Sequence, residues 1–253
     1  MYDTHLRYLA VAFLDAESVR PNQEEITDLI SEFRDFQLTP VAVQEPGLLG
    51  QDRRVGFVSH DNAWQIVLLG KQFHVARVAN HPLGADLGNF SEFCEKANEM
   101  LKWVLKRFER RPHRLAGVQE GVLPEKSDDE IDAVARRLLI LPAAFKERSL
   151  GEWDWRAAPR ISRRIGGRDE MTNTIVTIKK INGAFSATID PSISSPLAPL
   201  PEKFSAIRVD IDINTVQDNT SARFQDAHMD SFFKNVSAWH EEIVAEIKSL
   251  INK

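Results

Sequence analysis

Apolar positions in this chain alternate between two rhythms, a period near two over short runs and a period near 3.6 over longer ones. Leu6–Leu14 is a short apolar run closed by turn-forming residues and reads as a strand. A helix begins near Asn22: Asn22 and Glu25 have the spacing of a capping box, and Ile26, Leu29, Ile30 and Phe33 share one helical face. Pro40–Gln44 is a short extended piece, followed by a Pro- and Gly-containing loop, Glu45–Asp52. A meander of three strands comes next, Arg54–Ser59, Trp64–Leu69 and Phe73–Ala79, with turns at His60-Asp61-Asn62 and Gly70-Lys71. Asn89, with Glu92 as its box partner, then starts a strong helix. Its inward stripe is Phe90, Phe93, Ala97, Leu101, Val104 and Phe108, and Pro112 ends it.

The later part of the chain repeats this order. Thr174–Lys179 reads as a strand, and Asn182-Gly183 is the strongest hairpin signal, because both residues tolerate the positive φ of a type I′ turn. Ala184–Asp190 is the expected return, Pro191–Pro201 a Pro/Ser-rich connection, and Phe204–Ile213 a further strand. The last helix runs from about Gln225 to Leu250 on the stripe Met229, Phe232, Val236, Trp239, Ile243, Ile247 and Leu250. Between the two parts lie a capped helix, Ser127 to about Leu139, and a basic irregular stretch. The expected fold is α+β, two similar antiparallel strand-meander-plus-helix halves in one shared sheet or in two lobes. The expected divisions are residues 1–120, a connecting helix and basic segment over 121–173, and a second half over 174–253.

Composition narrows the function classes. With 253 residues, 43% hydrophobic and 27% charged, the chain can fill a packed core. Its 32 basic and 37 acidic residues leave a net charge of −5, which argues against a protein that coats nucleic acid over its whole surface. The single cysteine, Cys94, excludes an internal disulfide and a multi-cysteine zinc cage, and points to a reducing compartment. No basic leader with a small-residue cleavage site opens the chain, and no run approaches the ~18 apolar residues of a membrane span. The expected location is the cytoplasm, with no membrane association.

Candidate chemistry is sparse. On the strand Ile207–Ile213, isoleucine and valine alternate with Arg208, Asp210, Asp212 and Asn214. Asp210 and Asp212 would stand about 6.5–7 Å apart along a strand, a spacing at which two carboxylates can hold a divalent cation or divide acid and base duties. No further ligand pattern accompanies them, so the plainer account is a polar strand face neutralised by Arg208. The seven histidines form no H-x-x-x-H or H-E-x-x-H pattern, and Cys94 falls beside an apolar stripe, as a buried small residue would. There is no nucleophile elbow, P-loop or dinucleotide fingerprint, and Gly166-Gly167 reads as a turn. Neither a catalytic residue nor a cofactor is expected.

Two basic segments stand out. Lys102 to Arg114 carries Lys102, Lys106, Arg107, Arg110, Arg111 and Arg114 against Glu109 alone. Cations there also suit the negative end of a helix. The second segment carries Arg156, Arg160, Arg163, Arg164 and Arg168 without an acid, directly after Trp153 and Trp155. Arginine beside aromatic rings suits phosphate contact and base stacking, and it equally suits a protein interface. The acidic run Glu125–Asp132 is available to cover such a patch within the chain.

The segment Val55–Trp64 (VGFVSHDNAW), the pattern Val209-Asp-Ile-Asp-Ile213 and the final helix with Trp239-His240-Glu241 and Ile247 resemble a sporadically distributed family of uncharacterised bacterial proteins of similar length. The resemblance covers most of the chain. Its scattered distribution implies carriage on mobile elements and a role in anti-phage defence or a toxin–antitoxin system, and it carries no activity over to any residue. The expected function is therefore a non-enzymatic protein-interaction component, with a protein partner encoded nearby. The alternative is a nucleic-acid-binding or processing protein that uses the Arg156–Arg168 segment with a metal at Asp210 and Asp212.

Overall fold

The computed structural model describes residues 2–45, 52–145, 147–184 and 203–251. A first run of elements comprises β1 (Thr4–Phe13), α1 (Gln23–Glu32), β2 (Thr39–Glu45), β3 (Asp52–Val58), β4 (Trp64–Leu68), β5 (Gln72–Val78) and α2 (Phe90–Arg107). A second comprises β6 (Arg114–Val122), α3 (Asp128–Leu138), β7 (Asp154–Ala157), β8 (Arg160–Ile165), β9 (Arg168–Ala184), β10 (Lys203–Thr215) and α4 (Asp226–Ile251). Strand, helix, four strands, helix is thus the order in both.

All ten strands belong to one antiparallel sheet, in the order β2-β3-β4-β5-β1-β6-β10-β9-β7, with β8 also paired to β9. Each run closes on itself, β1 against β5 and β6 against β10. The two runs meet where β1 pairs with β6, from Thr4↔Val122 to Phe13↔Arg114. The fold is mixed α+β, and the strands of both halves share one sheet.

The helices lie on one side of this sheet. α2 packs against β5 and β1, and α4 against β6, β8 and β10. α1 leans on α2, with Phe33 and Trp103 ring centroids 5.5 Å apart, and α3 leans on α4. Between helices and sheet lies one core, with Phe57, Phe73, Phe93, Leu101, Val209, Ile211 and Phe232 fully buried. α1 and α3 open with complete capping boxes, Asn22 with Glu25 and Ser127 with Glu130. At α2 the Asn89 side chain instead accepts from the Ser91 N–H, without the expected reciprocal Glu92 bond.

Two expectations change, and one strand appears where none was expected. Asn182-Gly183 makes no hairpin turn: both residues lie within β9, opposite Ser205 and Phe204 of β10. Apart from Ala184, which ends β9, the expected return strand and the Pro191–Pro201 connection lie outside the described residues, as does most of the loop Glu45–Asp52. The irregular basic stretch contains two strands, β7 and β8. The segment after Pro112 is β6, a central strand of the sheet.

Candidate functional site

The strongest candidate is the sheet face turned away from the helices. Side chains alternate across a strand, so each strand supplies both faces. In β9, Thr174, Val176 and Ile178 point into the core, while Asn173, Ile175, Thr177 and Lys179 point the other way and remain partly exposed. In β10, Ile207, Val209, Ile211 and Ile213 are buried, and Arg208, Asp210 and Asp212 are partly exposed on the opposite side. Among the described residues no helix or second sheet packs against that opposite face.

The face has two zones. Across β1 to β5 apolar residues predominate: Leu9, Phe13, Val58 and Val78 are partly exposed and Val41 on the edge strand is 37% exposed, with Thr39, Gln65 and Gln72 among them and the Arg114 guanidinium 4.3 Å over the Phe13 ring. His74 lies within this zone, its pKa lowered to about 4 by burial and by the nearby Arg7 charge, so the ring is neutral at pH 7.

Across β1, β6, β10 and β9 the face carries a charged ladder. Arg7 pairs with Glu120 Oε1, and Arg208 Nη2 lies 3.1 Å from Glu120 Oε2. Arg208 Nε donates to Asp210 Oδ1 at 2.6 Å, and Lys179 Nζ stands 3.7 Å from Asp210 Oδ2. Burial by itself would lower the Arg208 pKa, but the hydrogen bond to Asp210 and the charges of Asp210 and Glu120 outweigh it and hold the group up.

The expected metal pair is placed by this ladder. Asp210 is held between two cations, which compete with any metal for its oxygens. Asp212 accepts a hydrogen bond from Asn214 at 2.9 Å. Burial raises its pKa, against that bond and the Arg114 and Arg156 charges. Among the described residues no cluster of three or more His, Cys, Asp or Glu side chains is arranged to hold a metal ion. A carboxylate pair without further ligands makes a poor divalent-cation site.

The expected contact residues divide between the two faces. Arg156, Arg160 and Arg164 are exposed and lie on the face away from the helices; Arg160 stands 3.2 Å from Asp218. Trp153 belongs to the core at 8% exposure, and Trp155 packs partly buried on the helix side, opposite Ile178. Neither ring is a free stacking platform. Arg163 lies over the Trp239 ring of α4 at 4.4 Å and 3.7 Å from Glu242, so it joins β8 to the last helix. Arg168 lies 3.1 Å from Glu170 and donates to the Arg223 carbonyl. Arg7 and Glu120, which tie the two runs of strands together, are not singled out by the sequence. The only local cue is the polar pair Gln119-Glu120, whose side chains point to opposite faces, and the glycines on either side, Gly117 and Gly121, obscure the strand pattern.

No family model matches the chain, and no curated protein does. Among solved structures it is similar to a rolling circle replication initiator protein from Geobacillus stearothermophilus, at 13% identity and a TM-score of 0.32, over 96% of this chain and 82% of that one.

Proposed function

We propose that this protein is a non-enzymatic interaction component that receives a partner protein on the sheet face turned away from the described helices. The observation that carries the reading is the pairing, on a face against which no described helix packs, of the apolar zone around Leu9, Phe13 and Val41 with the ladder from Arg7 to Lys179. Apolar contact area beside a polar, directional rim is the composition of a protein interface. The ladder's acids and bases largely neutralise one another, which disfavours phosphate and favours a partner with its own mixed charges. The mobile-element setting implied by the family resemblance supplies the kind of partner, a protein encoded beside this one in a defence or toxin–antitoxin system.

Purification at native expression level tests this directly. A stoichiometric partner should be recovered with the wild-type chain and absent with Leu9→Asp or Val41→Asp, while circular dichroism shows both variants folded. Recovery of the bare wild-type chain, or retention of the partner by both variants, defeats the proposal.

A second reading rests on Arg156, Arg160 and Arg164, which lie on that face on β7 and β8, two strands that follow one another along the same edge of β9. If they bind nucleic acid, affinity falls steeply with salt. Replacing all three with alanine then flattens the dependence of log affinity on log salt, by about one for each phosphate that is no longer neutralised. Absence of binding at low salt removes this reading.

A further inference from the structure

A second site lies on the helix side of the molecule. The start of β1, the amino end of α2 and the outer turns of α4 enclose a crevice of about 260 Å³. Four rings run in succession from it into the core: Tyr2 and His5 are partly exposed, and Tyr8 and Phe90, 1% and 8% exposed, back them from inside. Tyr2 and His5 have centroids 5.0 Å apart at 55°, His5 and Tyr8 5.0 Å at 61°, and Tyr8 and Phe90 5.0 Å at 64°. Each ring is inclined to the one before, so the row curves and mixes ring faces with edges, rather than stacking them flat.

The lining is one-sided in charge. Glu241 of α4 is exposed at the crevice, while Gln119, Asn89 and Ser237 are neutral, and among the described residues no lysine or arginine lines it. Burial pushes both tyrosines above their usual range and pushes His5 down, which keeps all three rings uncharged near pH 7. The Asp86 charge also reaches His5 and Tyr8, opposed by the terminal ammonium at His5 and by Arg77 at Tyr8. The amino end of α2 would oppose a cation through its dipole. Protein acceptors already occupy that end, however: Asn89 Oδ1 takes the Ser91 N–H at 2.7 Å, and Asp86 Oδ1 takes the Gly88 N–H at 2.8 Å.

We propose that the crevice binds a small methylated ammonium ion of about the size of choline, held by the Tyr2 and His5 rings, which Tyr8 and Phe90 back from the core, and by the Glu241 carboxylate. Ring faces attract a cation through their quadrupole, and a methylated ammonium loses little hydration on entering such a crevice. An anion would meet Glu241 and no cationic side chain among the lining residues. The site is independent of the sheet-face reading and stands or falls separately from it.

Calorimetric or ligand-detected NMR titration of the full chain with choline and tetramethylammonium, set against the neutral isostere 3,3-dimethyl-1-butanol, tests the proposal. Saturable binding of both cations is expected, with the isostere about tenfold weaker, since charge and not shape supplies the difference. Glu241→Gln, an exposed change that leaves packing intact, should weaken the cations severalfold and leave the isostere unchanged. Tyr2→Leu should weaken the cations, and Tyr2→Phe should retain them. Equal affinity for cation and isostere shows an apolar crevice and overturns the proposal. So does failure of the wild type to bind either cation, or unchanged affinity in both Glu241→Gln and Tyr2→Leu.

Discussion

Gly117 of β6 lies beneath Val236 of α4, where an added Cβ would stand 2.9 Å from a valine methyl. Its carbonyl accepts a hydrogen bond from His240 Nε2 at 3.1 Å, one helical turn further along. Two adjacent turns of α4 are therefore fitted to one glycine. Gly117→Ala should cost ~1–3 kcal/mol by overpacking. Combining it with Val236→Ala should restore part of that stability, so the double variant is more stable than the sum of the two single effects implies, by urea denaturation. His240 provides a pH signature. Its ring is fully buried, and burial lowers its pKa to about 4, with the Arg163 charge acting in the same direction and the Gly117 bond against it. Below the ordinary histidine pKa of ~6.5 the unfolded chain takes a proton that the folded chain refuses. Stability is thus complete above about pH 6.5 and declines as pH falls towards 4, by an amount on the order of 3 kcal/mol at most. In His240→Gln, which keeps a donor for Gly117, urea midpoints between pH 6.5 and 4.5 should decline less steeply than in the wild type. Equal slopes would show that other groups dominate.

The helices are legible in the sequence because their starting signals are local. Ser127 accepts from the Glu130 N–H while Glu130 accepts from the Ser127 N–H, as the four-residue spacing requires. Ser127→Ala should lower stability by ~1 kcal/mol, read as a shifted denaturation midpoint with an unchanged slope. β6 is not legible, because its glycines answer to partners distant in sequence. Gly117 makes room for Val236, and at Gly121 an added Cβ would stand within contact of Tyr2 and the Thr4 carbonyl. Read locally, two glycines in nine residues break a strand pattern; in the sheet they admit a helix and the start of the chain. Asn182-Gly183 fails for the converse reason. Its turn preference is real, but β9 and β10 pair in register from Thr172↔Thr215 to Ala184↔Lys203, and that long ladder overrides a local preference. Trp153 and Trp155 are misjudged as surface anchors in the same way. Strand alternation puts Trp155 with Ile178 on the helix side once β7 is known to pair with β9, and the sequence does not disclose that pairing.

At the scale of the whole molecule, β1 and β6 join the two runs of elements, and α2 packs on α4 above the same seam. Arg7, Glu120 and Arg208 cross it on the other face, with Glu120 only 8% exposed and engaged on both oxygens. Removing one buried charge strands its partners, so Glu120→Ala should destabilise by ~2 kcal/mol or more, and more than Arg7→Ala, because Arg7 is the more exposed end of the ladder. The position of this seam also determines how the molecule should unfold. Separating the runs would open both central strand edges and uncover the apolar flank of each long helix, so neither run has a finished core of its own. Calorimetry should accordingly give a single transition with matching calorimetric and van't Hoff enthalpies. A chain ending at Arg111 should fail to give the dispersed amide spectrum of a folded protein. Two resolved transitions, or a well-dispersed spectrum from that fragment, would mean that each run folds alone and that the β1–β6 contact is a docking of finished units, not part of one core.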